Sequence, residues 1–127
     1  MRQRSTTLTG QELEIMKIVW ELGQVTVRDV YEALLERRKV AYTTVMTMMK
    51  ILEQKNYLKK SLADRAHVYR PAQPKRQVIG DMVREFVNRV FNGSAEPLLV
   101  HLVEEHDLSQ EDLAEIARLR KESRPKS

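Results

Sequence analysis

Apolar positions between Ala41 and Gln54 fall at Val45, Met48, Met49 and Leu52, the i, i+3, i+4, i+7 stripe of a helix packed against a core. The opposite side of that helix carries Thr43, Thr47, Lys50 and Gln54: two hydroxyls, a cation and an amide, with no carboxylate. Two further helical patterns precede it. Thr9 can cap a helix through Leu13, Ile15, Met16, Ile18, Val19, Trp20 and Leu22. Its apolar residues cover most of the circumference, leaving Glu14, Lys17 and Glu21 as a narrow polar strip, which predicts burial on more than one side. Gly23 breaks it, and Gln24-Val25 leaves room for only a stub of strand. Thr26 then caps a second helix, with Val27, Val30, Tyr31, Leu34 and Leu35 inward and Arg28, Asp29, Glu32 and Glu36 on a solvated face.

Beyond the two-faced helix, Asn56 is suited to a left-handed stop. Tyr57 to Leu62 alternates loosely as a strand, Ala63-Asp64-Arg65-Ala66 forms a turn, and His67-Val68-Tyr69-Arg70 returns before Pro71 and Pro74. Helix, stub strand, helix, helix, hairpin is the order of a winged helix-turn-helix, whose third helix enters the DNA major groove while the hairpin lies along the backbone. A helix in that groove needs donors, acceptors and thymine-compatible methyls, and nothing that repels phosphate. Thr43, Thr47 and Lys50 meet that requirement. Met46, Met48 and Met49 read as core filler and groove-edge packing. The hairpin offers Lys59, Lys60, Arg65 and Arg70, of which Arg65, at the turn, is best placed to reach phosphate or minor groove. Lys59 and Lys60 face opposite ways, so at most one points at DNA; the DNA-contacting set includes Lys59 and, from the second helix, Arg28.

The rear of the chain is helical too. Pro74 stands near the first turn of a helix in which Val78, Ile79, Met82, Val83, Phe86, Val87, Val90 and Phe91 recur as adjacent pairs every four residues, a stripe wider than one internal contact needs. Asn92-Gly93 ends it; Ser94 can cap a short helix with Leu98, Leu99, Leu102 and Val103 inward. Ser109-Gln-Glu-Asp112 resembles a capping box ahead of Leu113, Ile116 and Ala117. Three helices of roughly fifty residues in all make a marginal core by themselves, and a two-fold homodimer would bury the surplus. The alternative is that they fold back on the head. The expected fold is mainly α with a small β-hairpin wing: a DNA-binding head over 1–73 and a three-helix dimerisation domain over 74–127.

Charge supports the division. Residues 1–76 hold 15 Lys and Arg against 8 Asp and Glu, and residues 77–127 hold 7 against 10, so a head of +7 is joined to a tail of −3. With no cysteine in 127 residues, disulfide scaffolds and thiolate metal sites are excluded. No apolar run suits a bilayer, and the amino-terminal Met1-Arg-Gln-Arg-Ser-Thr-Thr lacks a leader's apolar stretch, so a cytoplasmic protein without membrane insertion is expected.

Three series of residues, Leu8-Thr9 with Glu12 and Ile15-Met16-Lys17-Ile18-Val19-Trp20, then Thr26-Val27-Arg28-Asp29-Val30, then Ala41-Tyr42-Thr43-Thr44-Val45-Met46-Thr47-Met48, together resemble the penicillinase/methicillin-resistance repressor family (BlaI/MecI/CopY). The likeness runs on through Val68-Tyr69-Arg70-Pro71, Phe91-Asn92-Gly93-Ser94 and Leu108-Ser109. It implies a homodimeric winged-helix repressor of inverted-repeat operators, with Ala41, Tyr42, Thr43, Thr44, Thr47 and Lys50 on the operator-reading helix and the turn near Arg65 as the wing. Thr44 enters the set through the resemblance; Thr43, Thr47 and Lys50 follow from the helical wheel as well. In the β-lactamase branch a membrane sensor-protease system relieves repression by a cut at an Asn-Phe pair, and His101-Leu102 occupies the aligned position here. The copper-responsive branch uses a carboxy-terminal cysteine cluster that this chain lacks.

Two rival readings remain at this level: a winged-helix module that binds protein, and a repressor with an effector pocket. His67, His101 and His106 do not have the spacing of a shared metal site on one helix face, and no metal or cofactor is expected. No glycine-rich phosphate loop, cysteine nucleophile or serine-histidine-acid arrangement points to catalysis.

Overall fold

The computed structural model describes residues 7–123; residues 1–6, read above for a leader, lie outside them. The order is α1 (Gly10–Leu22), α2 (Val27–Leu35), α3 (Tyr42–Gln54), β1 (Leu58–Ala63), β2 (Ala66–Pro71), α4 (Lys75–Phe91), α5 (Glu96–His106) and α6 (Gln110–Ser123). Two of the first three helices begin with reciprocal caps. The Thr9 hydroxyl accepts from the Glu12 N–H while the Glu12 carboxylate accepts from the Thr9 N–H, and Thr26 and Asp29 do the same for α2.

Val25 forms an isolated antiparallel bridge with Tyr69, so the expected stub becomes a third strand-like contact beside the β1–β2 hairpin. That bridge ties the α1–α2 connection to the returning strand. The core collects Ile15, Met16 and Val19 from α1, Val30 and Leu34 from α2, Val45, Met49 and Leu52 from α3, with Leu58 and Tyr69 from the hairpin. α1 therefore touches α2, α3 and β2, as its nearly continuous apolar surface requires. Leu22 and Leu35, at the ends of their helices, are exceptions: both are exposed, although Val19 and Leu34 in the same last turns are buried. Trp20 donates its indole N–H to the Gln73 carbonyl at 3.0 Å, which fastens the chain leaving the hairpin to α1.

Packing separates the described chain into two units, one through Met82 and one from Val83, and the division falls inside α4. Val78, expected in a dimer contact, is instead only 2% exposed within its own chain. It belongs to the head core, against which Met82 also packs, and has no surface left for a partner. The second unit is unlike the first. Among residues 83–120, Val87, at 9% exposure, is the only buried side chain. α5 buries none of its residues, and α6 is exposed along its length as far as Arg120. Ser109 and Asp112 form the expected capping box of α6. The expected Ser94 cap of α5 is corrected: Ala95 is the N-cap residue, with no side-chain hydrogen bond, because Ser94 still belongs to the turn made by Asn92 and Gly93 at positive φ.

Candidate nucleic-acid interface

α3 is held at its far end and from beneath, which is what turns its outer side into a fixed surface. Beneath, Val45, Met49 and Leu52 are fully buried and Met48 is partly so. At the far end, Asn56 adopts φ 71° while the Asn56 and Tyr57 N–H groups donate to the Glu53 and Leu52 carbonyls, the pair of bonds that closes a helix with a left-handed residue. Lys55, the C-cap residue, reaches across to Glu12 of α1 at 2.8 Å. Burial alone would raise the Glu12 carboxyl, but the hydrogen bond from Lys55 and those from Thr9 outweigh it and hold its pKa below the ordinary value.

The near end of α3 is left open. Its N-cap is Ala41, which makes no side-chain hydrogen bond, and no acidic residue stands in its first turn. α1 and α2 by contrast close their first turns with Glu12 and Asp29. An uncapped first turn with no carboxylate suits an approaching phosphate. Tyr42 meets Tyr31 edge to face at 5.3 Å, and the Arg28 guanidinium stands over the Tyr42 ring at 5.8 Å. Arg28 also pairs with Glu32 at 3.6 Å. The cation assigned to a solvated face thus sits beside the first residue of α3.

The predicted readers are all brought together. Ala41, Tyr42, Thr43, Thr44, Thr47 and Lys50 are exposed along one helix, with Met46 exposed between them. At the wing, Ala63 pairs with Ala66, leaving a two-residue turn of Asp64 and Arg65 at φ 50° and 69°. Positive φ at both positions matches the right-handed twist of a hairpin, and it places an exposed Arg65 at the tip. The hairpin cations separate as strand alternation demands. Lys59 stands opposite Arg70 on one face; Lys60, opposite Tyr69, and His67, opposite Leu62, share the other. Met46, Thr47 and Lys50 of α3 line one open cleft with Lys60, His67 and Tyr69. The lysine that joins the α3 face is therefore Lys60, where the sequence favoured Lys59. Pairing of β1 with β2 decides this, and only the position of the turn could have signalled it.

The dimer candidates divide. Ile79, Met82, Phe91 and Leu98 are half-buried, Val87 is buried, and Val83, Phe86, Val90, Leu99 and Leu102 are exposed. Phe91 packs edge to face on Phe86 and lies 6.1 Å from the His101 ring. Leu113, Ile116 and Leu119 of α6 are exposed as well. Leu119 was missed by the sequence reading, although it continues the same stripe three residues beyond Ile116. His101 and Leu102 are both exposed within α5.

Three helices over a hairpin, with a rigid third helix whose outer face is free of acid, define a winged helix-turn-helix protein of the DNA-binding class. The penicillinase repressor family model matches residues 8–122. The chain is 38% identical over 118 residues to the transcriptional regulator BlaI of Mycobacterium tuberculosis, an alignment that covers 87% of this chain and 86% of that one. It is 26% identical over 115 residues to the penicillinase repressor of Bacillus licheniformis, covering 91% and 90%. Among solved structures, the monomeric form of B. licheniformis BlaI in complex with the blaP half-operator matches with a TM-score of 0.50 and 25% identity, over 59% of this chain and 90% of that one. The chain belongs to the penicillinase repressor family of DNA-binding transcriptional repressors. Among the described residues, no helix is long and apolar enough to cross a membrane.

Proposed function

We propose that this repressor binds a palindromic operator as a homodimer in the cytoplasm, placing α3 of each head in the major groove and the Arg65 wing against the flanking backbone. One observation carries the reading: Thr43, Thr47 and Lys50 stand exposed and acid-free on a helix whose other side is wholly spent on the core. The half-operator complex of the B. licheniformis relative supports the same use of the head. Helices α4 and α5 join the two copies through Ile79, Val83, Phe86, Val90, Phe91, Leu98, Leu99 and Leu102, with Leu113, Ile116 and Leu119 added from α6. Val87 is the only buried side chain among residues 83–120 of the rear unit, and that unit needs a partner's apolar surface to become a stable domain. Joining two heads makes the second binding event intramolecular and doubles the base pairs read.

Repression is relieved by breaking the rear unit. A cut between His101 and Leu102, made by a membrane sensor-protease system, would sever α5 and separate the heads without altering one base contact. The decisive experiment selects bound duplexes from a random pool with purified protein. A two-fold consensus is expected. Duplexes recovered without sequence preference would overturn base reading by α3 and favour its use as a protein-contact face.

A further inference from the structure

The cleft between α3 and the hairpin sets two groups that base reading by α3 does not use, Lys60 and His67, beside Thr47 and Lys50. Its walls carry Lys50 and Lys60, the Thr47 hydroxyl and the His67 imidazole, with Met46 and the buried Tyr69 as its apolar lining. Lys50, Thr47 and His67 are exposed to solvent. The charged group facing this set from α3 is Glu53, whose carboxylate lies 3.8 Å from Lys60. Against two lysines and one carboxylate, the cleft carries a net charge of +1 with His67 neutral and +2 with it protonated.

We infer that this cleft holds a backbone phosphate of the DNA strand that borders the α3 groove, and that His67 takes up a proton from water as the phosphate enters. The inference rests on the DNA-binding reading above and adds to it a site and a regulation. A phosphodiester brings one negative charge against groups that already converge, so it favours the protonated imidazole at the moment of binding. Histidine is the side chain whose ordinary titration range lies near neutral pH, so that uptake is felt under working conditions. With no DNA present Glu53 occupies Lys60, and an entering phosphate competes for that lysine. Acidification should then tighten operator binding by up to one power of ten per pH unit for each head, the limit set by one proton per site.

The test measures dissociation constants on the selected consensus duplex by fluorescence anisotropy from pH 5.5 to 8.0 at constant ionic strength. Wild-type protein, His67→Gln, Lys60→Gln and, as a control on the second unit, His106→Gln are compared. Wild type and His106→Gln should bind more tightly as pH falls, and His67→Gln should lose that slope while keeping the same consensus. Lys60→Gln should weaken binding on every duplex and lower the salt dependence by about one phosphate contact per head. Equal pH slopes in wild type and His67→Gln overturn the proton uptake, and an unchanged salt dependence in Lys60→Gln overturns the phosphate site. Both outcomes leave base selection by α3 standing. Failure of the wild type to select any sequence would instead remove the DNA reading itself.

Discussion

Replacing Glu12 with Gln tests how the recognition helix is anchored. Glu12 is 5% exposed and its carboxylate accepts from the Thr9 N–H at 2.9 Å and from Lys55 Nζ at 2.8 Å. Lys55 also reaches the Thr7 carbonyl at 3.4 Å, so the ammonium is shared between the start of α1 and the end of α3. Glutamine keeps the shape and one acceptor but removes the charge, leaving a half-buried lysine with neutral partners only. Loss of a charged, poorly solvated hydrogen bond of this kind costs about 2 kcal/mol. For a head of this size that corresponds to a fall of roughly 10 °C in melting temperature. The pH dependence has a definite sign. Because the folded carboxyl titrates below its ordinary value of 4.5, its stabilisation is fully present above pH 4.5 and is lost as pH falls through the lowered folded value. Urea unfolding followed by circular dichroism should show a constant gap between wild type and variant from pH 6 to 8, narrowing below 4.5. An equal gap at pH 7 and at the acid end would refute the ionic origin, and no gap at any pH would refute the anchor. Base preference should not change, since Lys55 caps the far end of α3 from Thr43 and Thr47, and Glu12 lies on α1.

Thr47→Ala should relax selection at one base pair per half-site, a loss of about 1–3 kcal/mol of discrimination, read by repeating the duplex selection; an unchanged consensus would remove Thr47 from the readers. Arg65→Gly is preferred to alanine because φ at that turn is 69°, where glycine carries no strain. It should weaken binding equally on all sequences and flatten the salt dependence without lowering the melting temperature; a loss confined to one base pair would make Arg65 a reader of bases. The double change Ile116→Glu with Leu119→Glu should yield monomers by analytical ultracentrifugation at micromolar concentration, with operator affinity reduced and half-site affinity kept. Persistence of the dimer would show that α6 lies outside the interface.

The elements of the head were legible because their signals are local. Thr9 with Glu12 and Thr26 with Asp29 close their own helices, Asn56 and Tyr57 end α3 through bonds to residues three and five positions back, and the two faces of α3 follow from a 3.6-residue repeat. The same holds for Thr43, Thr47 and Lys50, whose shared side is a property of one helix. Some details failed where a local signal competed with its surroundings. Ser94 is a good capping residue, yet the chain is still turning through Gly93 when it passes there, and the helix starts one residue later.

What depended on contacts between elements was decided by the tertiary structure. Val78 fits an interface stripe as well as a core, and only the position of the first turns of α4 against the head makes it core. Lys59 and Lys60 are adjacent and chemically identical; the β1–β2 register turns Lys60 toward Thr47 and Lys50 and Lys59 away. The capacity to form a DNA-reading helix was written into the periodicity of residues 42–54, because a helix carries both of its faces within itself. Which cations of the hairpin stand beside that face could emerge only on folding, since strand pairing joins residues that the chain keeps far apart.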